Sequence, residues 1–165
     1  MNKDKKILLI DDEDVTTFGS TKVLQEPGVE VDYAGYQTKN KDKRLLLIDD
    51  EEVITFGFKI VLQDPGVEVD CAQTVEEASH LIATHRYDAA IVDLSLSSAT
   101  EMEGFELIQL LRSCQSECKI IVVTAYGGNG FKGQAEALGV DLFYEKPIEP
   151  EKIRETLKTF GIYKG

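Results

Sequence analysis

LLLIDDEEVITFGFKIVLQDPGVEVDCA, residues 45–72, holds the outline of the fold: an apolar run ending in paired carboxylates, a helical stretch, a Pro-Gly turn and a second apolar run. The first run, Leu45 to Ile48, is apolar at every position instead of alternating, the pattern of a strand covered on both faces. In EEVITFGFKIVLQD (51–64), Ile54, Phe58, Val61 and Leu62 recur at i, i+4, i+7 and i+8, which predicts a helix with that stripe turned toward the sheet. Pro65-Gly66 ends the helix and starts VEVDCA.

Downstream the same alternation continues. Thr74 and Glu77 form a T-x-x-E capping box that opens the helix VEEASHLIATH (75–85), and DAAIVD (88–93) follows as a short strand. Then come the helix EGFELIQLLRSC (103–114), the strand KIIVVT (119–124), a Gly-rich turn, the helix FKGQAEALG (131–139) and the strand VDLFYE (140–145). EPEKIRETLKTF (149–160), with Pro150 near its first turn, is the last helix. Five strands alternating with five helices predict an α/β fold with a parallel sheet wrapped on both sides.

Upstream, residues 8–34 repeat 46–72 at an offset of 38 with 20 identities in 27 positions. The differences fall at 14, 16, 20, 21, 22, 26 and 33. Similarity of this degree means duplication, natural or engineered. Between the copies, GYQTKNKDK (35–43) is polar and shorter than the roughly 10 to 12 residues of a parallel crossover, so it reads as a linker. The domain reading is a partial duplicate over 1–41 and a complete α/β domain over 42–165. The second copy is the better first unit of that domain. The first has Thr16 and Ser20 where the second has Ile54 and Phe58, a loss of two buried apolar side chains worth roughly 1.5 to 3 kcal/mol each. Residues 1–41 are then an extra strand-helix-strand segment that adds to a sheet edge, pairs with another chain or stays partly disordered.

Composition narrows the function. With 165 residues and 42% hydrophobic content the chain can bury a core. No stretch approaches the roughly 20 apolar residues of a membrane span, and MNKDKK is no signal sequence, so a cytoplasmic protein with no membrane contact is expected. A net charge of −12 disfavours direct nucleic-acid binding. Cys71, Cys114 and Cys118 form neither a disulfide framework nor a zinc site, and are read as buried or half-buried thiols. His80 and His85 are read as surface residues.

In parallel α/β sheets ligands sit beyond the carboxyl ends of the strands. Asp49 and Asp50 end the first strand counted from Leu45, Asp93 the third, Thr124 the fourth, and Lys146 follows the fifth. If the first and third strands are neighbours, their ends lie about 4.8 Å apart and three carboxylates crowd together. Such a group either takes up protons or binds a hard cation, and all-oxygen donors at an open site suit Mg²⁺.

The acid pair in LLLIDDEE, the aspartate in IVDLSL, the hydroxyl in VVTAY and the lysine in YEKP, taken in this order over residues 42–165, resemble the response-regulator receiver domain. That resemblance implies a flavodoxin-like five-stranded sheet of order 2-1-3-4-5. It implies that Asp93 accepts a phosphoryl group, and that Mg²⁺ is held by Asp49, Asp50, Asp93 and the main-chain oxygen of Ser95. Thr124 and Lys146 would hold the phosphoryl oxygens, and Thr124 with Phe143 would form the switch. The implied partners are a histidine kinase or phosphotransfer protein as donor and a downstream protein as target. A second copy of this chain is a further partner, through the duplicated segment. Output is expected to run through protein contacts, directly or through a region beyond this chain. The implied protein is a stoichiometric phospho-acceptor, not a turnover enzyme.

Some residues depart from the family pattern. Gly104 lies eleven positions after Asp93, about three more than is usual, and Ser97 stands where a proline is common, so SLSSATEME (95–103) is expected to move. Tyr126, two residues after Thr124, is placed to shield an acyl phosphate from water. GGNGFKG lacks the Lys-Ser/Thr ending of a phosphate loop. A haloacid-dehalogenase-type hydrolase would need an aspartate where Ser95 stands. The remaining alternative is a receiver-like interaction module that is not phosphorylated.

Overall fold

A computed structural model of the chain describes residues 5–7, 29–31, 43–96, 102–125, 127–128 and 130–164. Its elements are β1 (Lys5–Ile7), β2 (Val29–Val31), β3 (Lys43–Ile48), α1 (Glu52–Leu62), β4 (Val67–Ala72), α2 (Val75–Thr84), β5 (Ala89–Val92), α3 (Met102–Cys114), β6 (Lys119–Thr124), α4 (Phe131–Ala137), β7 (Leu142–Glu145) and α5 (Pro150–Thr159). The chain divides into two units, Met1–Asn40 and Lys41–Gly165.

In the first unit β1 and β2 pair in parallel, Lys5 with Val29 and Ile7 with Val31. The same register recurs 38 residues later, where Lys43 pairs with Val67 and Leu45 with Val69. The rest of the repeat, including Asp11, Asp12, Thr16 and Ser20, lies outside the described residues.

In the second unit five parallel strands take the order β4-β3-β5-β6-β7, which is 2-1-3-4-5 counted from β3. This is the doubly wound arrangement expected from the alternation of elements. Its cause is visible in β3, where Leu45 to Ile48 are at most 3% exposed because successive side chains enter opposite layers. Leu46 and Ile48 pack with Val92, Ile120 and Val122 against Ile82, Phe105, Leu111 and Ala135 on the side of α2, α3 and α4. Leu45 and Leu47 pack with Ile91 and Val123 against Phe58, Leu62, Ile153 and Leu157 on the side of α1 and α5.

Local chemistry sets the boundaries. Thr74 caps α2 by accepting from the Glu77 N–H at 3.1 Å, and the Glu77 carboxylate reaches back to the Gln73 N–H at 2.8 Å. The box therefore closes one residue earlier than its usual form. Between α1 and β4 the chain turns within Asp64–Val67, whose two main-chain groups bond to each other.

The face of α1 differs from the expected stripe. Thr55, Phe58 and Leu62 are the buried residues. Ile54 and Val61 are only half-buried. A small buried threonine replaces a branched apolar residue because its hydroxyl is satisfied locally, donating to the Glu52 carbonyl at 3.0 Å. The opposite face leaves Val53, Phe56 and Ile60 exposed at 82%, 64% and 62%. Among the cysteines, Cys118 is buried and Cys71 half-buried, but Cys114 is exposed. It sits at the last position of α3, past the buried stripe that ends with Leu111. His80 is exposed and His85 half-buried.

Candidate metal centre

The carboxyl ends of β3 and β5 are adjacent strands' ends, since Ile48 pairs with Val92. Asp49, Asp50 and Asp93 follow directly, and each contributes a carboxylate oxygen to a group in which all lie within 4.8 Å of one another. Asp49 and Asp93 are buried at 7% and 6% exposure, whereas Asp50 is exposed. Main-chain donors fix the two buried acids: Glu51 N–H to Asp49 Oδ1 at 2.9 Å and Ser95 N–H to Asp93 Oδ1 at 3.1 Å.

Lys146 enters from the end of β7 and bridges the pair, its Nζ donating to Asp49 Oδ2 at 2.7 Å and to Asp93 Oδ2 at 3.0 Å. Glu51 Oε1 lies 4.0 Å from the same nitrogen. The Lys146–Pro147 peptide is cis. Thr124, the last residue of β6, is completely buried beside this group, and its carbonyl accepts from Lys146 N–H at 2.8 Å. Phe143 is half-buried against the core layer of α2, α3 and α4.

Electrostatics follow from this packing. Burial pushes the Asp93 carboxyl above its ordinary value and Asp49 adds to the rise, while the Ser95 N–H and Lys146 oppose it without cancelling it. Asp50 is also raised, by burial and then by the charge of Asp49. Burial alone would lower Lys146, but its bonds to Asp49 and Asp93 outweigh that and hold it above the usual lysine value. The cluster of three aspartates thus carries a single lysine, which binds Asp49 and Asp93. The net negative charge, all-oxygen donors and remaining lone pairs fit a hard divalent cation.

Of the sequence-derived site residues, Asp49, Asp50, Asp93, Ser95 and Lys146 come together, and Thr124 lies at the adjacent strand end. Phe143 sits two residues before the end of β7, packed into the core layer. Tyr126 and residues 97–101 lie outside the described residues. Sequence reasoning missed Glu51, a third carboxylate beside Lys146 after Asp49 and Asp93. Its position immediately after the acid pair was the available signal. It also missed why Gly104 stands where it does. A Cβ there would lie 2.4 Å from Leu94 Cα and 2.8 Å from its carbonyl oxygen, so only glycine lets α3 start against the residue that follows Asp93.

Comparison with known proteins agrees with this geometry. The sequence model of the family described as "Response regulator receiver domain" matches residues 45–158. The two-component response regulator PhoP of Pseudomonas aeruginosa is 33% identical over 82 residues, which cover 50% of this chain and 35% of that protein. The chain therefore spans about a third of the length of that relative. Among solved structures, a CheY-like response regulator receiver domain protein from Methanospirillum hungatei superimposes with a TM-score of 0.65 at 30% identity, covering 71% of this chain and 91% of the other. A response regulator from Burkholderia pseudomallei, solved with a phosphorylated aspartic acid, calcium ion and citrate, gives 0.62 at 29% identity, covering 72% of each chain.

Proposed function

The chain belongs to the response regulator receiver domain family, and from that premise we propose that Asp93 accepts a phosphoryl group from a protein phosphohistidine with Mg²⁺. A carboxylate oxygen of Asp93 attacks phosphorus, the phosphorus–nitrogen bond breaks, and the donor imidazole leaves with the electron pair. The bridge from Lys146 to both Asp49 and Asp93 carries this reading, because it puts a cation on the acceptor and leaves it free to shift to a phosphoryl oxygen. Thr124 supplies a hydroxyl donor at the same strand end. Asp49, Asp50, Asp93 and the Ser95 carbonyl are the residues that would hold Mg²⁺. When bound, the ion compensates the carboxylates and the charge spread over the phosphoryl oxygens.

The protein is then a stoichiometric acceptor that signals through a changed surface around Phe143, not a turnover enzyme. Ser95, standing where a hydrolase of the dehalogenase type has its second aspartate, supports that. No helix among the described residues is long and apolar enough to cross a membrane. The reading assigns the chain to the cytoplasm, with a histidine kinase or phosphotransfer protein as donor. The exposed Val53, Phe56 and Ile60 on α1, which begins three residues after Asp49, offer that donor an apolar face.

Incubation with acetyl phosphate and Mg²⁺ followed by intact mass tests the acceptor. One phosphoryl increment is expected, and Asp93→Asn should lose it. No adduct under conditions where Mg²⁺ binding is measured would instead favour an interaction module that works without phosphate.

A further inference from the structure

β7 ends with Glu145, which pairs in register with Thr124 at the end of β6. Side chains two apart on a strand share a face, so Glu145 points to the α4 side like Phe143. There it meets the loop between β6 and α4. A Cβ built on Gly127 would lie 1.8 Å from Glu145 Oε1, 1.9 Å from Cδ and 2.4 Å from Cγ. Gly127 has no positive φ, so its missing side chain provides room, not conformational freedom. The carboxylate occupies that room. Among the described residues no ion pair engages it, and the nearby Lys146 is committed to Asp49 and Asp93.

We propose that the charge of Glu145, seated against Gly127, opposes phosphoryl loading of Asp93. The inference rests on the acceptor reading above. The ends of β5 and β7 are two strand spacings apart, about 10 Å. The incoming phosphoryl donor brings up to about two negative charges to the site, of which the acyl phosphate of Asp93 retains about one net of the carboxylate it replaces. At that separation, repulsion through a solvent-exposed path amounts to about a two- to fourfold effect on loading at low salt, and it is screened as the Debye length shrinks. The seat keeps the carboxylate over the loop that follows Thr124 instead of letting it turn outward.

Two substitutions in the full chain separate charge from seat. Glu145→Gln removes the charge. Gly127→Ala keeps it but displaces the flexible end of Glu145 into solvent, at little cost because the atoms in its way belong to that side chain. Initial rates of adduct formation with acetyl phosphate and Mg²⁺ are read by intact mass at about 0.01 M and about 1 M salt. Glu145→Gln should load about two- to fourfold faster at low salt and Gly127→Ala faster by a smaller factor, the double variant no faster than Glu145→Gln, and all should converge at high salt. Unchanged rates in both variants, or a gain in Glu145→Gln alone, would overturn the seated charge while leaving the acceptor reading intact. No adduct in the unsubstituted protein would overturn both.

Discussion

Lys146 holds two buried carboxylates together, yet Asp93 remains above its ordinary protonation range because burial outweighs the lysine and the Ser95 N–H. Asp50 is raised for related reasons, burial first and Asp49 second. A carboxyl whose pKa is raised by folding is ionised at neutral pH at a cost to the fold. Asp50→Asn is therefore expected to stabilise the metal-free protein slightly, by no more than about 0.5 kcal/mol, because solvent screens this exposed carboxylate. It should also reduce the rise in thermal midpoint that Mg²⁺ gives the unsubstituted protein, and melts with and without Mg²⁺ check both. Asp70 has the opposite sign. Burial would raise it, but Arg44 Nε and the Tyr87 hydroxyl, both at 2.7 Å, outweigh burial and hold it below its ordinary 3.8. Its contribution is full above that ordinary value and is lost as pH falls through the lower folded value. Asp70→Asn should cost about 1 to 3 kcal/mol at neutral pH, since a neutral amide oxygen in place of Oδ2 removes the charge that strengthens the bonds from Arg44 and Tyr87. Urea melts across the acid range should show the gap closing below pH 3.8.

Helix α1 carries two apolar faces with different fates. Thr55, Phe58 and Leu62 enter the core, and Val53, Phe56 and Ile60 stay exposed. Phe58→Ala is expected to cost about 3 to 5 kcal/mol through the cavity it leaves. Phe56→Ser should change stability by no more than about 0.5 kcal/mol. It should slow phosphoryl transfer from a protein donor about tenfold, as loss of an aromatic contact at an interface does, while acetyl phosphate loads Asp93 at the unsubstituted rate. Parallel stability and transfer assays separate the two faces. Periodicity located this helix and turned Ile54, Phe58, Val61 and Leu62 inward, of which Phe58 and Leu62 are buried and Ile54 packs against the same core. Tertiary packing added Thr55, whose hydroxyl finds the Glu52 carbonyl.

Across the whole domain, α5 and the residues after it tie back to the far end of α1. Arg154 donates to the Val61 carbonyl and to Asp64 Oδ2, both at 2.7 Å, and stacks on the Tyr163 ring 4.1 Å from its centroid. The Tyr163 hydroxyl in turn donates to the Leu62 carbonyl. Two orphan carbonyls at a helix end are thereby satisfied from more than 90 residues away. Arg154→Ala should cost about 2 kcal/mol in a urea melt with unchanged slope, because these bonds are lost without changing the surface exposed on unfolding. Nothing in the local sequence announces that tie. The sequence by itself determined the alternation of strands and helices, the apolar runs that need cover on both faces, and the acids and lysine at strand ends, because periodicity, turn chemistry and chain order are local properties. Only the tertiary structure decided that Lys146 bridges Asp49 and Asp93, that Gly127 seats Glu145, and that Thr55 joins the buried face of α1. Each of those depends on the positions of strands and helices far apart in the chain, and so on the packing of the sheet between its two helix layers.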